Sequence, residues 1–287
     1  MSCAMRYPVV NGRPVLLRSD NAVFSREHYR YAPPPVKETG ERGLANLIPS
    51  PSVNLARERI LERVRELMSQ RQNVKVLVVG SGRQRQWLDE RLCAGGVVQV
   101  VYSDIDVEAD VDLFCDAHDL PFTGGVFDTV ITTAVLEHVL YPERVAAEIH
   151  RVLKVGGVLY SELPFMQQVH EGAYDFTRYT LSGHRRLFNG FAELESGMVA
   201  GPATALVWAL ESFALAFSRR STIRAVTKAI VRIAFGWLKH FDRLLVNRPE
   251  AMDGASCTYF LGSKIDGCIP DTDIIARYVG AKHLRHT

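Results

Sequence analysis

The chain has 287 residues, 47% hydrophobic and 23% charged, enough for one large α/β domain with an appendage and too many for a disulfide-stapled miniprotein. A mean hydropathy of −0.01 argues against both a disordered tail and a polytopic membrane protein. With 34 Lys and Arg against 32 Asp and Glu the net charge is only +2, so no global field would draw a nucleic acid.

Cys3, Cys93, Cys115, Cys257 and Cys268 are scattered without a CxxC pair, so neither a zinc knuckle nor a secreted disulfide framework is expected. The expectation is a cytoplasmic protein with no metal. Met1 to Pro14 lacks the apolar block of a signal peptide, and no run reaches the roughly 20 apolar residues that cross a bilayer. In chain order, Asn11-Gly12 between the apolar runs Tyr7–Val10 and Pro14–Leu17 predicts a small hairpin, because both turn residues tolerate positive φ. Asp20 to Pro51, with Pro33-Pro34-Pro35 and Pro49-Ser50-Pro51, resists regular structure and reads as a linker or a wrapping arm. From Ser52, Ala56, Ile60, Val64, Leu67 and Met68 recur at helical spacing.

Short β-branched runs then alternate with amphipathic helices: strands at 74–79, 97–102, 111–115, 127–132 and 157–163, with helices at 84–93 and 142–153. This is the pattern of successive βαβ units, hence a parallel sheet. A helix over 180–188, a strand over 192–199, a long helical tract to about Val246 and a strand over 257–263 complete the chain.

Ligands of open parallel sheets bind outside the carboxyl ends of the strands. Gly80-Ser81-Gly82 follows the first strand, where a tight turn lets backbone approach a ligand. Asp104 follows the second, placed to accept from both hydroxyls of a ribose or, equally, to cap a turn.

Asp116-Ala117-His118-Asp119-Leu120-Pro121-Phe122, Phe127-Asp128-Thr129-Val130, Leu136-Glu137-His138-Val139 and Arg151-Val152-Leu153-Lys154-Val155-Gly156-Gly157 come next. This succession, over about Val74 to Phe191, resembles the class I methyltransferases that use S-adenosylmethionine, in the type 11-like subgroup. The resemblance implies a Rossmann-like, doubly wound, mostly parallel seven-stranded sheet with an antiparallel strand. It implies that Gly80, Ser81 and Gly82 approach the methionine part of the cofactor and that Asp104 and Ile105 meet the ribose. Asp116, Ala117 and His118 then meet the adenine, and Thr133 with the Glu137-His138 turn lines the passage to the acceptor. Two positions depart from the family: Val78 stands where an acidic residue is common and Gln84 where a third glycine is common.

After the fifth strand, His170, Glu171, Tyr174, Asp175, Arg178 and Tyr179 crowd one loop at the ligand end, more convergent polar groups than packing requires. Bacterial family members that modify glycans show a similar His-Glu and Asp-x-x-Arg-Tyr-Thr pattern, so Glu171, Tyr174, Asp175, Arg178 and Tyr179 are expected to bind the acceptor, although Asp175 and Arg178 could equally be an ion pair that shapes the loop. His170 is the expected base for O-methylation and His138 the second candidate. The acceptor expected is a glycan, a lipid-linked saccharide or another small molecule. A tRNA or protein methyltransferase and a non-catalytic partner-binding protein stay open. The phrase Tyr7 to Pro14 also resembles the tail of a zinc-ribbon-like family that partners methyltransferases, but Cys3 stands alone, so its metal site is not carried over.

Between Pro202 and Arg248 the chain carries eight Lys and Arg against Glu211 and Asp242. Ile223, Val226, Ile230, Ile233, Trp237, Phe241 and Leu244 form an apolar stripe, read as one long amphipathic helix. Such a face packs on the domain, caps the site, pairs with a second subunit or lies on an anionic membrane. Nucleic acid is disfavoured, since Trp237 and Phe241 fall on the apolar stripe. The expected divisions are 1–51, 52–200, 201–250 and 251–287.

Overall fold

The computed structural model describes residues 6–34, 48–93 and 98–282. Cys3 and most of the segment from Pro35 to Pro51 lie outside the described residues.

A hairpin of β1 (Val9–Val10) and β2 (Arg13–Pro14) opens the chain, with Asn11 and Gly12 both at positive φ as the turn requires. The amphipathic helix α1 (Arg57–Ser69) buries Ile60, Leu61, Val64 and Met68. Then come β3 (Val74–Val79), α2 (Arg85–Leu92), β4 (Val98–Asp104), the short β5 (Leu113–Phe114) and β6 (Phe127–Thr133). Helix α3 (Pro142–Val152) leads into β7 (Leu153–Pro164), followed by α4 (Leu181–Leu187) and β8 (Phe191–Ala200). The insertion comprises α5 (Pro202–Leu215), α6 (Ser221–Phe235) and α7 (Asp242–Leu245); β9 (Cys257–Lys264) and α8 (Asp271–Ala276) close the chain.

The sheet runs β5-β4-β3-β6-β7-β9-β8, parallel except that β9 lies antiparallel between β7 and β8. It is Rossmann-like and doubly wound, as the alternation of elements predicts. One core layer joins α3 and α4 to the sheet through Val145, Ile149, Phe188 and Phe260, and another joins α1 and α2 through Ile60, Val64 and Leu88. The strand order reverses at β3, whose neighbours are β4 and β6, so the ligand crevice falls at the tips of these strands.

Several motif residues hold the frame. Asp128 accepts the Lys75 N–H at 3.0 Å and the Lys154 ammonium at 2.8 Å, tying β6 to β3 and β7. Arg151 donates to the carbonyls of Leu120 and Phe122 and pairs with Glu148, which accepts the Leu120 N–H at 2.8 Å. Any β-carbon at Gly157 would meet the Lys154 carbonyl at 2.7 Å, so the close approach there explains the second glycine of the pair.

The described part of the N-terminal segment packs against the edge of the sheet at β5. Val15 bridges Phe114, and the Tyr29 ring packs 5.0 Å from that of Phe114 while its hydroxyl donates to the Ile105 carbonyl at 2.6 Å. Arg13 lies 4.7 Å over the Phe114 ring and donates to the Ala109 carbonyl.

The insertion differs from the single long helix read in the sequence. Helix α6 stops at Phe235, and a 3-10 turn, Gly236–Phe241, precedes α7. Asp242 is fully buried and accepts the N–H groups of Gly201, Ala203 and Thr204 at 2.9–3.0 Å, capping α5 from 38 to 41 residues away.

His184 sits buried under β7 and β9, its ring nitrogens 3.1 Å from Ser161 Oγ and 3.2 Å from Thr258 Oγ1. Burial pushes its pKa down to about 3, helped by nearby Arg185. The unfolded chain, with an ordinary histidine, therefore binds the extra proton first. Stability contributed by neutral His184 is complete above about pH 6.5 and is lost as pH falls towards 3, by about 1.4 kcal/mol per unit at most. Urea unfolding of the wild type and His184→Gln at pH 7 and pH 5 tests this; the variant should lose the part of the slope that comes from this residue.

Candidate functional site

The turn after β3 sets the site. Gly80 (φ +71°) and Gly82 (φ +53°) both take the left-handed backbone region, and a β-carbon on Gly80 would lie 2.2 Å from Val135 Cγ2. At Gly82 a β-carbon would meet nothing within 4 Å, so that side of the turn is open. Between them Ser81 is buried, with no partner for its Oγ among the described residues.

The Asp104 carboxylate, at the end of β4, accepts N–H groups from Gly82 at 2.8 Å, Ile105 at 2.7 Å and Asp106 at 3.0 Å. Burial raises its pKa, partly offset by these backbone donors. One strand over, Cys115 N–H donates to the Asp104 carbonyl, so Asp116 stands beside it. The Asp116 carboxylate accepts the His118 N–H at 2.9 Å and lies 2.6 Å from His118 Nδ1; its other oxygen accepts Asn21 Nδ2 at 2.6 Å. Burial opposes ionisation of Asp116, but His118 and Asn21 outweigh it and hold the carboxyl below the usual range. The Ala117 N–H has no acceptor among the described residues. Thr133 ends β6 and is half-buried.

Across the strand tips, β6 leads into Ala134 at φ +57° and the turn Leu136–His138. His138 Nδ1 lies 2.7 Å from the Tyr174 carbonyl, and His170 Nδ1 lies 3.2 Å from the Gln168 carbonyl. Carbonyls only accept, so both Nδ1 atoms carry hydrogen, and in the neutral ring the lone pair then falls on Nε2. The two rings sit edge to face at 4.9 Å, and Trp208 of α5 lies 6.2 Å from His170. Burial lowers the His138 pKa, with the Tyr174 carbonyl acting the other way. Glu137 is 1% exposed, and neither carboxylate oxygen has a partner among the described residues; burial pushes its pKa up to about 8. One ligand-type atom each from Glu137, His138 and His170 lies within 4.8 Å of the others, so this is also where the chain could hold a divalent ion.

The acceptor loop divides. Arg178 spends its five N–H donors on the carbonyls of Gln167, Thr177 and Gln168 and on both oxygens of Asp175, which also accepts the His170 N–H at 2.9 Å. Burial opposes the charge on Asp175, but Arg178 and the His170 N–H hold it well below the usual range. This pair shapes the loop and leaves Arg178 no donor for an acceptor, in line with the ion-pair alternative. Tyr179 lines a different groove of about 530 Å³ between α3 and α4, with Glu143, His150 and Arg186. Glu171 is exposed, and the Tyr174 ring stacks 6.3 Å from Phe24 of the N-terminal arm.

Residues without a sequence motif complete the site. Asn21 and Phe24 bring the arm to Asp116 and Tyr174. Glu162, 2% exposed at the end of β7, accepts from Arg57 and from Tyr160, and Arg57 also donates to Gln84 at 3.2 Å beside the glycine turn. A lone glutamate in the apolar run of β7 is the signal that could have marked Glu162; Arg57 and Asn21 carry none.

Residues 77–161 match a family model described as a methyltransferase domain. No curated protein matches. Among solved structures, the chain resembles the [4+2]-cyclase SpnF at 16% identity over 74% of this chain and 82% of that one, with a TM-score of 0.47. A geranyl diphosphate methyltransferase in complex with SAM matches at 13% identity over 72% and 85%, TM-score 0.45. A SAM-dependent methyltransferase from Aquifex aeolicus matches at 12% identity over 78% and 94%, TM-score 0.43. The fold assignment rests on the strand order rather than on these distant likenesses.

Gly80→Ala is expected to destabilise the protein by about 2 kcal/mol or more, through the clash with Val135 and the left-handed backbone. Thermal unfolding compares it with Gly82→Ala, where only the backbone cost applies and the loss should be smaller.

Proposed function

We propose that the protein is an S-adenosylmethionine-dependent methyltransferase that transfers a methyl group to an oxygen of a glycan, a lipid-linked saccharide or another small molecule. The supporting observation is the arrangement at the tips of β3, β4 and β5: an open glycine turn, a buried Ser81 hydroxyl awaiting a partner, and the adjacent carboxylates of Asp104 and Asp116. These residues fit the group. When bound, the cofactor supplies an electrophilic methyl carbon on a sulfonium. Asp104 would accept a ribose hydroxyl with the lone pair of Oδ2 that the Gly82 N–H leaves free, and Ala117 would donate to the adenine while Asp116 accepts from it. Arg57, held by Glu162 and reaching Gln84, would meet the carboxylate end.

The chain accelerates such a displacement by aligning the acceptor and excluding water. His170 is the proposed base: its Nδ1–H is fixed on the Gln168 carbonyl, and Nε2 can take the acceptor proton. His138, oriented in the same way by Tyr174, is the second candidate. Phe24 on Tyr174 and Trp208 beside His170 supply apolar surface around the pair.

Calorimetric titration with S-adenosylhomocysteine tests the cofactor reading. Binding is expected, and Asp104→Asn should weaken it at least about tenfold, while exposed Asp106→Asn leaves it nearly unchanged. Absence of binding to the wild type would overturn the proposal. Labelled methyl donor with fractionated cell extract identifies the acceptor. With that acceptor, His170→Ala should lower kcat by about 100-fold or more; a near-normal kcat would remove it from the base role.

A further inference from the structure

Along the insertion, large apolar side chains point away from the protein. On α6, Ile223, Val226, Ile230 and Ile233 are 44–68% exposed, and the stripe continues through Trp237 at 57% and Leu244 at 72%. Phe213 near the end of α5 and Phe217 just beyond it are 68% and 78% exposed, with their rings 5.2 Å apart. Scattered exposed apolar residues need no explanation, but a run at helical spacing on two consecutive helices does.

The charges indicate what covers this surface. Two of the insertion's three acidic residues are already engaged: Glu211 is buried against Arg232 at 2.6 Å, and Asp242 caps α5, which leaves Glu250 exposed at its end. Arg219 and Arg220, in the turn between α5 and α6, and Arg243 and Arg248, near the far end of the stripe, have no ion pair or side-chain hydrogen bond among the described residues. A self-complementary contact between two copies would bring these four arginines of each copy together with only the exposed Glu250 of the insertion to answer them. An anionic bilayer satisfies both halves of the pattern, with apolar side chains and Trp237 at the acyl boundary and the arginines among phosphate headgroups. Among the described residues no helix is long and apolar enough to cross a membrane, so the contact would be interfacial.

We propose that α5, α6 and the turn after α6 form a docking surface for an anionic lipid bilayer. Helix α5 carries Trp208 beside His170, so the surface that meets lipid is built on an element that also lines the site. Binding to lipid does not depend on the methyl-transfer reading.

Flotation of the full chain with phosphatidylcholine vesicles, with and without phosphatidylglycerol, at low and moderate salt tests the proposal. Retention is expected on the phosphatidylglycerol vesicles at low salt and should weaken as salt rises. Ile230→Asp with Ile233→Asp, both at exposed positions, should lower the partition at least about tenfold. Arg219→Gln with Arg220→Gln should lower it by about 25-fold, roughly fivefold for each basic residue near an anionic surface. No retention of the wild type at low salt, or full retention of the double aspartate variant, would overturn it. So would a concentration-dependent dimer in sedimentation that the aspartates abolish, without vesicle binding. S-adenosylhomocysteine titration of the same samples separates the two readings: lipid binding without nucleoside binding supports this surface and removes the enzymatic one.

Discussion

A single carboxylate organises the ligand end of the sheet. Asp104 takes backbone hydrogens from the glycine turn after β3 and from its own strand end, so the first two parallel strands are locked together at their tips. Parallel pairing brings Val79 opposite Ser103, and the Gly80 N–H closes on the Ser103 carbonyl at 2.8 Å. The chain must then turn sharply under Val135, which is why only glycine fits at the first position. Turn, carboxylate and the beginning of the acceptor side are thus one packed unit, and a nucleoside bound there would complete a set of donors and acceptors fixed by the fold.

Most of the frame is legible in the sequence because its elements obey simple periodicities. The apolar runs at 74–79 and 127–133 form strands, and Pro142 begins a helix as its fixed φ favours. The hairpin follows from two residues able to take positive φ. What the pattern could not carry is the identity of partners brought together from a distance. Asn21 reaches Asp116 across 95 residues and Arg57 reaches Glu162 across 105, and neither residue type is unusual where it stands. Arg178 shows the converse. A cation in a polar loop reads as a ligand for an acceptor, yet its donors are consumed within the loop, and only the three-dimensional arrangement of carbonyls reveals that.

The insertion was harder still, since amphipathicity states that one face is apolar but not what that face meets. The sequence pattern is equally suited to a buried helix, and it does not show the break at Gly236 that keeps the stripe from forming one continuous rod. Asp242, just past that break, turns back to cap α5, so the insertion is stitched to β8 at Gly201 while α6 is left outward. A buried carboxylate spent on three backbone donors fixes where the two helices start, which is a stricter demand than covering apolar surface would impose.

On the acceptor side the proton inventory follows from burial. Glu137 is surrounded by protein and makes no side-chain hydrogen bond among the described residues, so burial pushes its pKa up to about 8, whereas burial lowers that of His138 below its ordinary value. The carboxyl is thus pushed towards its protonated form and the imidazole towards its neutral form, although they are adjacent in sequence and 3.7 Å apart. Two groups of ordinary chemistry are driven to opposite roles by the same loss of water. Burial therefore favours an undissociated carboxyl beside a neutral imidazole over an ion pair at this end of the sheet.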